Sequence, residues 1–99
     1  MPTAVVNPFS VLAKLVPFGA PSSAGQTVQA NGVLDAFGAD RIFLREAAGN
    51  ITGMVRQGAD LLVYGPNGEI LTVQNFYTGV EAKHLLLLDG NGGVVAMET

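Results

Sequence analysis

The stretch "DLLVYGPNGEILTVQ", residues 60–74, constrains the fold more than any other part of the chain. It reads as strand, turn, strand. Pro66 and Asn67 suit the centre of a type I turn, and Gly68 is free to take positive φ. A three-residue loop of this kind carries a bulge at the glycine. The register then pairs Tyr64 with Ile70, Val63 with Leu71, Leu62 with Thr72 and Leu61 with Val73. Leu61, Val63, Leu71 and Val73 fall on one wholly aliphatic face, which is expected to be core. Asp60, Leu62, Tyr64, Ile70, Thr72 and Gln74 fall on a mixed face. A two-residue Asn67-Gly68 loop is disfavoured, because it would put Pro66 where the ladder wants an N–H.

The same punctuation recurs along the chain. Strands are predicted near 26–34, 41–46, 51–56, 60–64, 69–76, 84–88 and 94–97, with Gly, Asn or Asp in most of the gaps. Short strands with regular turn signals predict an all-β fold, a small antiparallel β-sandwich or barrel. "HLLLLDGNGGVVAM" is a second hairpin. Its four consecutive leucines cannot alternate apolar and polar, so the strand is expected to be covered on both faces. The second cover would come from the N-terminal helix or from another subunit.

The N-terminal part reads differently. Residues 1–24 form an apolar segment and loop, and residues 25–99 a single β domain. "NPFSVLAKLVP" (7–17) predicts a short helix, with Asn7 as N-cap, Pro8 at the first helical position and Pro17 as the stop. Phe9, Leu12, Ala13 and Val16 would share one helical face. The rival reading is an extended segment, with "TAVV" and "VLAKLV" as strands. "FGAPSSAG" (18–25) is a loop. The first 24 residues lack a basic n-region and Lys14 interrupts the apolar run, so they make a poor secretory signal and are too short for a membrane span.

Composition narrows the function. The chain has 99 residues, which fits one domain, and its charged fraction is 13%, about half the usual share. With 13 glycines and 48% hydrophobic residues, it suits a β-rich domain with tight turns or a subunit that hides surface in an assembly. Net charge is −3 and the five Lys and Arg are spread singly, which argues against nucleic-acid binding. Cysteine is absent, so there is no disulfide framework, thiolate nucleophile or Cys-ligated zinc.

Little in the chain points to catalysis. His84 is the only histidine, so a triad or a His-rich metal site would have a single imidazole to use. Ser10, Ser22 and Ser23 lack a nucleophile-elbow context. "DGNGG" (89–93) resembles half of a calcium loop but has no acid at the fifth position; as a turn it needs no metal. No cofactor is expected, with calcium the one weak candidate. Phe37, Phe43, Phe76 and Tyr77 look exposed, and the adjacent pair Phe76-Tyr77 in "VQNFYTG" is a candidate contact patch.

Residues 51–93 carry a pattern of R-Q-G-x-D-L-x-V, a turn, a G-x-x-x-x-V-x-N-F-F/Y strand and L-x-L-D/E-x-x-G. Here these are Arg56, Gln57, Gly58, Asp60, Leu61, Val63, Gly68, Val73, Asn75, Phe76, Leu86, Leu88, Asp89 and Gly92. The pattern resembles the N-terminal prefix domain of bacterial biofilm-associated, Bap-type surface adhesins, and β-rich parts of type I secreted repeat proteins. The resemblance implies no catalysis, an extracellular or cell-surface location reached without a cleavable N-terminal signal, and a role in adhesion or biofilm matrix; a cytoplasmic location is the alternative. Ala47, Ala48 and Gly49 are similar to the site where a periplasmic protease releases some retained adhesins. The long repeat region of those adhesins is missing, which leaves an excised piece or a small free-standing relative open.

The expected function is therefore a structural or adhesive module that self-associates as a homo-oligomer or homopolymer, or meets other surface or matrix proteins. Strand addition into a filament is one route. Val5, Val6, Phe9, Leu12, Leu15, Phe76 and Tyr77 are the candidate contact residues. The alternative is a small protein- or ligand-binding β module.

Overall fold

A computed structural model describes residues 7–78 and 83–97, apart from the side chain of Ser22. Nine strands follow in chain order: β1 (Ser10–Pro17), β2 (Gln26–Asn31), β3 (Val33–Asp35), β4 (Ala39–Ala47), β5 (Gly53–Gln57), β6 (Asp60–Tyr64), β7 (Ile70–Gln74), β8 (His84–Leu88) and β9 (Val94–Met97). They form a five-stranded sheet, β2-β1-β4-β8-β9, and a four-stranded sheet, β3-β7-β6-β5. The two sheets pack face to face as a small β-sandwich. No helix among the described residues is long and apolar enough to cross a membrane.

The β6–β7 hairpin has the register that its turn chemistry predicts, from Tyr64↔Ile70 to Leu61↔Val73. Gly68 sits at φ +80°. Its N–H donates to the Gly65 carbonyl at 3.4 Å, and the Gly65 N–H donates to the Glu69 carbonyl at 2.8 Å. Leu61, Val63, Leu71 and Val73 are all buried. Full burial contributes about 1.5–3 kcal/mol for each such side chain, so this face anchors the core. The facing sheet adds Val11, Ala13, Ile42, Leu44, Leu85 and Leu87.

Residues 10–17 are a strand, and the predicted helix is corrected. A helical face would have buried Leu12 beside Phe9, Ala13 and Val16, but Leu12 is exposed. The observed alternation has period two: Val11 and Ala13 face the core while Ser10, Leu12 and Lys14 face outward. Strands on both sides, β2 and β4, satisfy the backbone of β1. That pairing outweighs the local cap signal of Asn7-Pro8. The Asn7 carbonyl instead accepts from the Ile70 N–H at 2.9 Å, and the Phe9 N–H donates to the Ile70 carbonyl at 3.0 Å.

The run at 26–34 is two strands. Gly32, at φ +81°, breaks it. The Gly32 N–H donates to the Phe9 carbonyl at 3.1 Å, and its carbonyl accepts from Thr72 at 2.9 Å. The chain thus passes from the five-stranded sheet into the four-stranded one at this residue. The crossing makes β3 run parallel to β7, and β8 runs parallel to β4, while the other pairings are antiparallel. Both sheets are mixed as a result.

Candidate functional site

The outer face of the five-stranded sheet is where cover runs out. Toward the end of β1 the 18–25 loop folds back over the sheet. Val16 is fully buried there, on the same face as Lys14, and the Arg41 guanidinium donates to the Ala20 carbonyl. Gly25 lies so close that a Cβ on it would stand 2.7 Å from Lys14 Cγ and 2.8 Å from Val16 Cγ2. The loop therefore presses the aliphatic stem of Lys14 against the sheet.

Beyond Lys14 the face is open and concave. A groove of about 300 Å³ crosses β1, β4, β8 and β9, with Leu12, Phe43, Leu86, Leu88 and Val94 along it. The pairings Lys14↔Phe43, Phe43↔Leu86 and Leu88↔Val94 set these side chains in rows across the strands. Lys14 and Arg45 also line the groove, and among the described residues no acid does. Ala13 pairs with Leu44, so Lys14 and Arg45 are diagonal neighbours across β1 and β4, a spacing of about 7–8 Å. The cations thus sit at the β1/β4 end and the purely aliphatic part lies at β8 and β9.

The four-leucine strand explains the groove. Leu85 and Leu87 point into the core, whereas Leu86 is half-buried and Leu88 exposed. The expectation of cover on both faces is thus met on one face only. Next to it β9 ends the sheet. Val94 is 52% exposed and Val95 37%, and the strand, "VVAM", carries neither charge nor proline.

Among the residues predicted to make contacts, Val5 and Val6 lie outside the described residues. Phe9 and Phe76 belong to the core and cannot meet a partner without unfolding. Leu15 faces inward, half-buried against that core. Tyr77 is half-buried, edge-on to Phe76 with centroids 5.1 Å apart, and Arg56 covers its ring at 4.4 Å. Among the described members of this set, Leu12 alone faces the groove. Phe43 lines it too, while Phe37 stands exposed on the β3–β4 turn.

The other candidates are placed as follows. Ala47 ends β4 opposite Leu88, and Ala48 and Gly49 lie in a 3₁₀ turn at Ala48–Asn50. A protease would have to unpair Ala47 first. The Asp89 carboxylate of "DGNGG" accepts from the N–H groups of Asn91 and Gly93, both at 2.8 Å. Among the described residues, no three His, Asp or Glu side chains gather to hold a metal ion. His84 is exposed on the outer face, paired across the strands with Arg41.

Comparison with family models, with curated proteins and with solved structures found no match.

Proposed function

We propose that the protein is a non-catalytic structural or adhesive module of a bacterial surface or biofilm matrix, and that it acts by self-association. The surface or matrix setting rests on the resemblance of residues 51–93. The mode of association rests on β9. An edge strand offers a row of unpaired N–H and C=O groups, and proteins usually blunt such edges with charge, proline or a bulge. β9 has uncharged, exposed residues and regular pairing to β8 from Leu85↔Met97 to Leu88↔Val94. Addition of a second copy's strand here would extend the sheet and continue its apolar outer face into the neighbour. Residues 10–17 are built into their own sheet, so the donor edge in this reading is β9 and not that strand.

Sedimentation velocity from micromolar to near-millimolar concentration tests the reading. The wild-type chain should gain mass with concentration, and Ala96→Lys, which charges the exposed edge away from the core, should stay monomeric. A wild-type chain that remains a monomer throughout, or an Ala96→Lys variant that assembles equally well, refutes it.

A further inference from the structure

We infer that the outer groove binds a single-chain amphipathic anion, an acyl tail with a carboxylate head. Two features of the lining carry this. First, it is segregated: Lys14 and Arg45 sit at the β1/β4 end, and Leu86, Leu88 and Val94 extend the groove to β9. Second, its charge runs against that of the chain, which is −3 overall with eight acids to five cations. Two of those cations line this groove, and among the described residues no acid does. Neither has a hydrogen bond or ion pair among the described residues, whereas Arg41, outside the groove, donates to Asp40 at 3.1 Å and to the Ala20 carbonyl.

The geometry suits one head group held between two cations. A diagonal spacing of about 7–8 Å lets two long basic side chains converge on one carboxylate. Gly25 limits where Lys14 can go, because the loop backbone lies against Lys14 Cγ and Cε. From β1 to β9 the groove spans three strand spacings, about 14 Å. Its volume of about 300 Å³ is at the small end for ligand sites, which matches one chain rather than a bulky ring system. Concavity also favours a single tail over a flat bilayer. This inference is independent of the β9 edge.

The probe is sodium decanoate below its micellar concentration, titrated into the isotope-labelled full chain and followed by backbone amide shifts. Saturable shifts at Lys14, Phe43 and Leu86 are expected, and nonyltrimethylammonium, with the same nine-carbon alkyl tail and opposite head, should bind at least several-fold more weakly. Lys14→Gln with Arg45→Gln should erase that preference while leaving the fold's dispersed spectrum intact. Equal binding of the two probes would reduce the groove to a plain apolar patch and overturn the inference. So would absence of any saturable decanoate shift, including the case where only phosphatidylglycerol vesicles bind.

Discussion

The ring of Phe9 rests directly on the backbone of Gly65: a Cβ at residue 65 would stand 2.9 Å from Phe9 Cε2 and 3.0 Å from Cδ2. Phe9 is 4% exposed and leads into β1, while Gly65 closes the β6–β7 turn. The contact therefore joins the N-terminal strand to the hairpin of the opposite sheet. Gly65→Ala should push the ring off its seat at a cost of about 1–3 kcal/mol, the usual range for overpacking a core. A lower midpoint in urea with an unchanged slope would register it. Phe9→Leu should relieve part of the loss, because the two sites share one space. Additive effects of the two changes would count against the contact.

Asp35 makes stability depend on acid pH. The Asn75 side chain donates to its carboxylate at 2.9 Å and the Phe37 N–H donates at 3.0 Å. These bonds, the Asn75 amide foremost, hold its pKa below the ordinary carboxylate value; Lys83 adds a smaller pull and slight burial opposes them. A carboxyl depressed in the folded state stabilises the fold above its unfolded pKa, about 3.9, and that contribution is lost as pH falls through the folded value. Stability should therefore decline below about pH 4. Asn75 occupies φ +61°, so Asn75→Gly keeps the backbone geometry while removing the amide. That variant should be less stable at pH 7 and show a flatter decline below pH 4. Parallel curves for the two proteins would exclude the pairing.

Lys83 works as a buried strut. Its ammonium donates to the Ala39 carbonyl at 2.6 Å and lies 5.0 Å from the Phe18 ring centroid, with only 7% of the residue exposed. A hydrogen bond from a charged donor contributes about 1.5–3 kcal/mol, and the stem adds packing. Lys83→Ala should lose at least that much, read as a thermal midpoint lower by about 4–8 °C for each kcal/mol. Lys83→Met should recover the packing share and remain below wild type. An Ala variant as stable as wild type would show that the strut carries no weight.

The parts legible in the sequence are those governed by local chemistry. The register of β6–β7 follows from one turn, since Pro66 excludes a shorter loop and Gly68 supplies the left-handed residue. β8 and β9 fall where their apolar runs and "DGNGG" place them. The 7–17 segment shows where local signals mislead. Asn7, Pro8 and Pro17 are good helix punctuation, yet "SVLAKLV" also alternates at period two, and neighbours on both sides chose the strand. Phe76 and Tyr77 illustrate the same limit, because two adjacent aromatics reveal nothing about which one the fold buries. The groove had a partial signal: Leu12 and Lys14 alternate with core residues, and one face of the four leucines had to end up somewhere. Which residues would surround that face was not written in any single segment.

By itself, then, the order of residues determined that this chain makes short strands, where most of them turn, and which aliphatic faces seek a core, because turns and side-chain alternation act over a few neighbours. Tertiary structure alone decided that β1 lies between β2 and β4, that Gly32 carries the chain from one sheet to the other, and that Lys14 and Arg45 line one apolar groove. Those outcomes depend on pairing between segments far apart in the chain, where the hydrogen bonds and burial gained across strands exceed any local preference.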